Sequence, residues 1–521
     1  MKTPSRVSTA LTLFSIAAIL AWPIGSLVQA DVTLPSIISD HMVLQGDAKV
    51  AIWGWATPGE KVTVKIAGQV HTVQADTRGA WLANLKKLKT GAKLEMTVTG
   101  TNTITVKDIL VGEVWLCTGQ SNMERPMSSV RDAAREISDA NYPEIRLFTV
   151  PRTRVMSAPM ETCGGKWVVC APDSVPSFSA VGFLFGRELH KDLKSPIGLI
   201  HSAVGGTEIE LWIDYRVYKA AVDAAGEAAW PPYDPQIAEA NHQEALRNWA
   251  VAFEKAKALG THEPDKPRKA VDPKSRKRGQ ADYYNSMIHP ITRYAIRGAI
   301  WYQGEWNTWN AYWYRTLLPL MIKDWRFRWG QGDFPFGIVQ LANHGDIQTQ
   351  PVELSSEAEV REAQLLTLKR SPNTGLAVII DTSENGNLHP TNKQDVGHRL
   401  ALWALAKVYG REIVYSGPVF DTMKIEKEKV RLCFKQTGGG LTAKGDTLTG
   451  FAIAGADKVF HAAEATIDGV CVIVHSSSVA KPVAVRYGWA NNPVCNLYNK
   501  EGLPASPFRT DDWPGITQPG Q

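Results

Sequence analysis

VGEVWLCTGQSNMERPM, residues 111–127, predicts the central feature of the fold. Its first half, VGEVWL, is an apolar run that predicts a buried strand. The run ends in TGQSN (118–122), whose small and polar residues favour a tight turn, and a helical pattern, SSVRDAAREI, follows Pro126. Ser121 therefore stands at the tip of a predicted strand-to-helix turn.

A serine in that position is a candidate nucleophile. Its hydroxyl projects from the edge of the sheet, and its N–H lies near a helix start, where donors are unpaired and the helix dipole favours negative charge. Acyl-transfer enzymes place a nucleophilic serine in this way. The pattern alone also fits an ordinary surface turn, and Met123 replaces the last glycine of the GxSxG motif.

Strand and helix patterns alternate on both sides of this turn, from residue 111 to about residue 410. The apolar runs IGLIHSAVGG, IRGAIWYQGE, FPFGIVQLA and TGLAVIIDTS end in polar or glycine-rich tips. Such runs are typical of parallel strands buried on both faces, whose carboxyl ends carry the functional site. The sequence predicts an α/β, three-layer core with a parallel sheet.

The flanking regions are predicted to be β-rich. Residues 31–110 contain six short alternating runs between turn signals, which favours an N-terminal β-sandwich. Residues 411–521 return to strand-like pieces and predict a C-terminal β-sandwich. A chain of 521 residues is too long for one core, so several domains are expected.

The first 30 residues predict a signal peptide. A basic start precedes the apolar run ALTLFSIAAILAW, and Val28-Gln29-Ala30 supplies small residues for cleavage. An uncleaved membrane anchor is the alternative, but no later stretch reaches the ~18 apolar residues of a membrane span. We therefore expect an exported, periplasmic or extracellular protein with no stable membrane span after cleavage.

Charge and cysteine content limit the partners. The net charge of +5 does not indicate a nucleic-acid binder, and the basic stretch 262–280 favours a solvated loop. Cys163 and Cys170 flank GGKWVV and are either bridged across a small hairpin or free, whereas Cys117 is predicted to be a buried thiol. No CxxC or HExxH pattern occurs, so we expect no metal and no cofactor.

Five stretches in order resemble one family. GEVWLCTGQSNM resembles the serine block of the sialate O-acetylesterase family, a branch of the SGNH-type carbohydrate esterases. The others are GLIHSAVGGTEIELWI (198–213), YYNSMIHPITRYAIRGAIWYQGEWN (283–307), DWRFRWGQGDFPFGIVQL (324–341) and HPTNKQDVGHRLALWALAKVYG (389–410). The resemblance implies an SGNH-like esterase core at 111–410 that acts on an O-acetylated sugar or glycan.

The base that activates Ser121 is expected to be a histidine, because its pKa lies nearest neutrality. His389 follows the apolar run AVIID after a short loop and precedes a helical pattern, so it is expected beside Ser121. The resemblance supports this choice, because HP followed by NKQ is the pattern at the catalytic histidine of the family. His289, also followed by proline, is the alternative and is expected to be structural.

Oxyanion donors are expected from three places. The N–H of Ser121 is one, and the resemblance assigns Gly205-Gly206 and Gln303 to the same role. Glu305 is expected to brace the site by hydrogen bonds. Without the resemblance, Gly205-Gly206 also fits an ordinary turn and Gln303 a polar loop residue.

The third member of a catalytic triad is missing from its usual place. SGNH enzymes carry Asp two or three residues before the histidine, where this chain has Asn387 and Gly386. The nearest acids are Glu384 and Asp381. A more distant acid or a backbone carbonyl must then orient His389, with Asn387 in a supporting role.

The sequence favours a secreted carbohydrate O-acetylesterase that forms an acetyl-serine intermediate, and the resemblance implies the sialate type. An inactive carbohydrate-binding or surface scaffold protein and an acetylxylan-type esterase are the alternatives. A glycosidase with paired carboxylates has no support in the sequence.

Overall fold

The structure is a computed structural model that describes residues 31–155, 158–231, 233–259, 266, 267, 269, 272, 274, 281–384 and 386–519. The predicted signal peptide, residues 1–30, and most of the basic stretch 262–280 lie outside the described residues. Within the described part of the chain, no helix has both the length and the apolar character that a membrane crossing requires.

The strands are, in chain order, β1 (Val43–Gln45), β2 (Val50–Trp55), β3 (Lys61–Ile66), β4 (Gln69–Gln74), β5 (Ala80–Leu85), β6 (Lys93–Thr99), β7 (Thr103–Gly119), β8 (Tyr142–Thr149), β9 (Trp167–Cys170), β10 (Ile197–Ala203), β11 (Gly298–Tyr302), β12 (Phe336–Val339), β13 (Thr374–Ala377), β14 (Val419–Glu426), β15 (Lys429–Lys435), β16 (Leu441–Ala443), β17 (Phe451–Ala454), β18 (Phe460–Ala462), β19 (Glu464–Asp468), β20 (Cys471–His475), β21 (Ala484–Tyr487), β22 (Leu497–Asn499) and β23 (Phe508–Arg509).

The α-helices are α1 (Ser121–Glu124), α2 (Ala133–Ser138), α3 (Ala180–Leu193), α4 (Tyr215–Ala225), α5 (Pro235–Leu259), α6 (Ala311–Trp329), α7 (Ser356–Arg370) and α8 (Lys393–Lys407). Shorter helical turns are Met127–Ser129, Val175–Ser177, Ile209–Trp212, Gly226–Ala229, Tyr284–Ile288, His289–Ile291 and Glu305–Asn310.

The central sheet has the strand order β13-β12-β11-β7-β10-β8-β9. Its first six strands are parallel, and β9 is antiparallel to β8 at one edge. Every residue of β10 and β11 is buried, as expected for strands covered on both faces. The prediction of an α/β chain with additional β-sheet regions is confirmed; its SGNH-like character stays a prediction.

Alternate residues of β7 face two different helical layers, because successive side chains of a strand point to opposite faces. Trp115 and Cys117 pack in a core with residues of α3 and α8. Val114 and Leu116 belong to a second core that includes residues of α6. Cys117 is a buried thiol, as predicted, and burial raises its pKa.

Strand β7 joins the N-terminal β region to the central sheet. Its first part pairs with β6 and β1, and residues 113–119 pair with β10 or β11. The six strand-like runs of residues 31–110 correspond to β2–β7. The expected boundary between residues 110 and 111 thus falls inside one continuous strand, and the domain limits stay a prediction.

The C-terminal region contains two four-stranded sheets, β14-β15-β20-β19 and β18-β17-β21-β23. Side chains from both sheets form a third core. A disulfide between Cys433 and Cys471 joins β15 to β20. Cys163 and Cys170 are both unbonded, because Cys170 lies in β9, which pairs with β8 and not with the segment that carries Cys163.

Candidate active site

Three parallel strands end at the same level beneath the site. Gly119, the last residue of β7, lies opposite Ala203 of β10 and Tyr302 of β11. Gly119 has a φ of +139°, and a Cβ there would approach the carbonyl oxygen of Tyr302 to 2.1 Å. Only glycine fits this close contact, and the chain turns immediately after it.

Ser121 is the first residue of α1, directly after this turn. Helix α1 has four residues, and the long helix predicted after Pro126 is replaced by a short turn and by α2. The N–H of Ser121 has no partner in the described structure, as is usual at the first position of a helix. The turn therefore leaves one backbone donor beside the serine hydroxyl.

His389 lies against Ser121 in the loop between β13 and α8. Its Nε2 is 2.9 Å from Ser121 Oγ. Burial lowers the pKa of His389, and positive charge on Arg125, Lys393 and His344 lowers it further. A neutral imidazole that accepts from Ser121 Oγ through Nε2 carries its proton on Nδ1. This is the protonation state that a general base requires.

The backbone of His389 is fixed by Asn387, whose Oδ1 accepts from the His389 N–H at 2.9 Å. The ring nitrogen Nδ1, in contrast, has no hydrogen-bond partner among the described residues. The backbone carbonyl expected to orient the ring is therefore not among these contacts.

The two nearest acids are engaged elsewhere. Glu384 Oε2 accepts from Thr391 Oγ1 at 2.9 Å. Asp381 accepts two hydrogen bonds from Arg399, at 2.6 and 2.9 Å. Neither carboxylate faces the imidazole of His389 in this structure.

Asn122 connects the Ser121 turn to the loop that carries His389. Its Nδ2 donates to Glu305 Oε1 at 2.6 Å and to the carbonyl of Leu388 at 3.1 Å. Its Oδ1 accepts from Lys393 Nζ at 2.6 Å. One buried amide therefore contacts a carboxyl, an amine and the residue before His389.

The groups bonded to Asn122 have shifted pKa values. Burial raises the pKa of Glu305 and lowers that of Lys393 to about 7, because a low-dielectric surrounding disfavours the charged form of each. Glu305 Oε2 is enclosed and lacks a partner among the described residues. The expected bracing contact of Glu305 is thus its hydrogen bond with Asn122.

The expected oxyanion donors differ in availability. Gln303 Nε2 donates to Thr207 O at 3.0 Å and to Asn307 Oδ1 at 2.6 Å, so both amide hydrogens are engaged. In this structure the buried Gln303 amide supports the neighbouring loops, and its expected role as an oxyanion donor stays a prediction.

The two glycines of the Gly205-Gly206 pair also differ in whether the backbone N–H is available. Gly205 lies directly against Ser121, but its N–H donates to Glu124 Oε2 at 2.6 Å. Gly206, with a φ of +70°, has no partner for its N–H in the described structure. Of the pair, only the N–H of Gly206 is unengaged.

A cleft of about 620 Å³ opens over these groups. Trp306 is 51% exposed at this cleft, and an aromatic face of this kind suits the apolar face of a sugar ring. On another part of the lining, His344 Nδ1 contacts Glu357 Oε1 at 2.9 Å, which raises the pKa of His344. The cleft therefore combines an aromatic surface with groups that form hydrogen bonds.

His289, the alternative to His389 as the catalytic base, contacts a different group. His289 Nδ1 is 2.9 Å from the carbonyl oxygen of Met160. Ser121 and His389 were predictable from the sequence, whereas the roles of Asn122 and Lys393 were not, although both residues occur in the quoted blocks GQSNM and HPTNK. Their positions were the available signal: Asn122 directly follows Ser121, and Lys393 lies four residues after His389.

Known proteins resemble the chain over most of its length. The family model described as carbohydrate esterase, sialic acid-specific acetylesterase, matches residues 111–234 and 273–406. A mouse protein named sialate O-acetylesterase is 30% identical, with 91% of this chain and 93% of that protein covered. The human protein of the same name is 29% identical, with coverage of 92% and 93%.

A solved structure resembles the whole fold. It is described as a carbohydrate acetylesterase from Xanthomonas citri and is 38% identical to this chain. The comparison has a TM-score of 0.77 and covers 93% of this chain and 100% of the other.

Proposed function

The chain belongs to the sialic acid-specific acetylesterase family of carbohydrate esterases, and from this premise we propose that it removes acetyl groups from O-acetylated sialic acids through an acetyl-Ser121 intermediate. That it is a carbohydrate O-acetylesterase follows from its relatives. The observation that supports the mechanism is the 2.9 Å contact between Ser121 Oγ and His389 Nε2.

In the first half of the reaction, His389 Nε2 accepts the Ser121 proton as Oγ attacks the acetyl carbonyl. The N–H groups of Ser121 and Gly206 donate to the oxyanion that develops. His389 then returns the proton to the departing sugar oxygen, which leaves acetate esterified to Ser121.

In the second half, His389 removes a proton from water, and the resulting nucleophile attacks the acetyl-serine ester. Acetate leaves as Ser121 regains its proton. The pKa of His389 is lowered by burial, so the imidazole is neutral at the start of each half-reaction near neutral pH.

A second candidate substrate is an acetylated polysaccharide, because the Xanthomonas citri protein is described only as a carbohydrate acetylesterase. The exposed Trp306 at the cleft accommodates either kind of sugar ring. We further propose that the protein is exported, on the basis of its first 30 residues.

Acetate release from p-nitrophenyl acetate, O-acetylated sialic acids and acetylated xylan tests these proposals. Sialate activity with a kcat/KM at least tenfold above that for xylan supports the first substrate. The reverse ratio supports the second. No acetate release from any of the three, by protein verified as folded, contradicts the proposed activity and supports a scaffold role.

Mass spectrometry of acid-quenched enzyme during turnover tests the intermediate. A mass gain of one acetyl group on the peptide that contains Ser121 is expected, and Ser121→Ala should abolish it. Turnover without such a peptide, in enzyme quenched before deacylation, would contradict the covalent mechanism.

A further inference from the structure

Arg125 lies beside both members of the proposed catalytic pair. It directly follows α1, the short helix that begins at Ser121, and its backbone N–H donates to the carbonyl of Ser121 at 2.9 Å. Its own carbonyl accepts from the N–H of Ala180 at 3.0 Å, so its backbone is held on both sides. Burial lowers the pKa of His389, and among the neighbouring charges that of Arg125 lowers it most. The Arg125 side chain therefore lies within electrostatic range of the base.

The guanidinium of Arg125 has no hydrogen-bond or ion-pair partner among the described residues. Its Nε is enclosed and unpaired, whereas its two terminal nitrogens are not enclosed and remain accessible. In contrast, the guanidinium of Arg399 on α8 pairs with Asp381 at 2.6 and 2.9 Å. A guanidinium has five N–H donors, so an unpaired one that is partly withdrawn from water is satisfied best by a bound anion.

The acids that line or adjoin the cleft do not neutralise Arg125. Glu124 Oε2 accepts from a backbone N–H at 2.6 Å. Burial raises the pKa of Glu305, which favours its uncharged form. Glu357 Oε1 is 2.9 Å from Nδ1 of His344 and raises the pKa of that histidine. The positive charge of Arg125 is therefore available to an anionic group of a substrate.

We propose that Arg125 is a specificity-determining residue whose guanidinium binds the carboxylate of an acidic sugar, which in the proposed substrate is the carboxylate of O-acetylated sialic acid. The inference rests on the proposed function and adds the group that distinguishes an anionic sugar from a neutral one. A guanidinium presents two parallel N–H donors to the two oxygens of a carboxylate, and it stays charged over the whole pH range of an enzyme. The exposed Trp306 fits either kind of sugar ring and does not make this distinction.

Arg125 also affects the pKa of His389, so a loss of activity in a variant does not by itself demonstrate binding of a carboxylate. The test therefore changes the substrate as well. O-acetylated sialic acid and its methyl ester, which lacks the negative charge, are compared on wild-type protein and on Arg125→Gln, at a pH above the rise of both pH profiles.

For wild-type protein we expect kcat/KM to be higher for the free acid than for the methyl ester by about 10–10²-fold, the usual effect of one charge-assisted pair. In Arg125→Gln this preference should fall below about threefold, because the two changes remove the same interaction. A purely electrostatic effect on His389 would alter the rates with the two substrates equally and leave their ratio unchanged.

Two further variants separate the hydrogen bonds from the charge and from folding. Arg125→Lys keeps a positive charge near His389 but not the planar pair of donors, so its pH profile should match that of wild type while its preference for the free acid falls by at least about threefold. Arg131→Gln is the matched control and should keep the full preference, because the guanidinium of Arg131 bonds to Asn392 Oδ1 at 3.0 Å.

The outcomes separate this inference from the proposed function. If wild-type protein cleaves the free acid and the methyl ester with equal kcat/KM, or if folded Arg125→Gln keeps the wild-type preference, Arg125 does not bind the carboxylate and the proposed function stands. If p-nitrophenyl acetate is cleaved but neither sialic acid derivative is, the sialate substrate and this inference both fail. If Ser121→Ala retains activity, the acetyl-serine mechanism fails, and the ratio of the two substrates still decides the role of Arg125.

Discussion

The Ser121 turn (119–125) and the His389 loop (378–392) are positioned by different forces. Gly119 is paired with strands on both sides, and its contact with Tyr302 O excludes any side chain. Next to His389, the loop is held by amide side chains instead: Asn387 accepts from the His389 N–H, and Asn122 donates to the carbonyl of Leu388. Farther along the loop, the carbonyls of Gly386 and Thr391 accept from backbone N–H groups of other segments.

This difference predicts how point substitutions affect the position of each catalytic residue. Backbone pairing fixes the nucleophile, so point substitutions around Ser121 change its chemistry more readily than its location. Side-chain hydrogen bonds fix the base, so single substitutions can displace His389 without disturbing the sheet.

The largest effect is expected for Ser121→Ala, which removes the proposed nucleophile and leaves the turn intact. We expect kcat to fall by about 10⁴-fold or more, as for nucleophile deletions in other serine hydrolases. Acetate release and circular dichroism measure activity and fold. Retention of more than a tenth of wild-type activity would remove Ser121 from the mechanism.

His389→Ala is expected to be nearly inactive, with kcat lower by at least about 10³-fold, because no other base among the described residues contacts Ser121 Oγ. His289→Ala is the matched control, since its ring contacts Met160 O instead. Equal losses in the two variants, both folded, would contradict the assignment of the base.

Asn122→Ala should lower kcat by about 10–10²-fold, because a 1 Å displacement of a catalytic group costs up to that much. It should also destabilise the protein by about 1–3 kcal/mol, since Glu305 and Lys393 lose a buried partner. Steady-state kinetics and urea unfolding measure both effects.

Lys393→Met is the control for that experiment. It removes one bond to Asn122 but leaves the bond to Leu388 O that holds the loop. We expect a smaller loss of kcat than in Asn122→Ala. An equal or greater loss would show that activity depends on Lys393 itself and not on the hydrogen bond from Asn122 to Leu388 O.

The pH dependence of kcat/KM should report the nearby positive charges that lower the pKa of His389. The base must be neutral, and its pKa is lowered from 6.5, so kcat/KM should rise with pH through an apparent pKa below 6.5 and level off above it. Arg125→Gln removes one of the charges that lower this pKa and should move the rise to higher pH. Arg131→Gln, whose guanidinium bonds to Asn392, should leave it in place; an unmoved rise in Arg125→Gln would refute the argument.

The smallest effects are expected for Glu384→Gln and Asp381→Asn. Each carboxylate is bonded away from the imidazole, so each variant should lose less than about tenfold in kcat per folded molecule. In conventional triads, amide replacement of the acid costs about 10⁴-fold. A loss above a thousandfold in either variant would identify that acid as a third triad member.

Much of the chain's organisation was predictable from the sequence alone. Apolar runs and turn signals predicted the alternation of strands and helices, because both depend on local periodicity and burial. The same signals predicted that residues 121 and 389 follow strands of one parallel sheet, and the carboxyl ends of such strands lie at one edge. The structure brings these two residues into hydrogen-bond contact.

Only the tertiary structure decided which polar groups are free to act. By resemblance Gln303 is expected to be an oxyanion donor, yet its amide hydrogens bond to Thr207 and Asn307 in the structure. Likewise, Cys163 and Cys170 are close in sequence but unbonded, and the disulfide joins Cys433 to Cys471. Sequence periodicity reports which face of an element is buried. The partner of a hydrogen bond or a thiol is a neighbour from another segment, and only packing determines which neighbour that is.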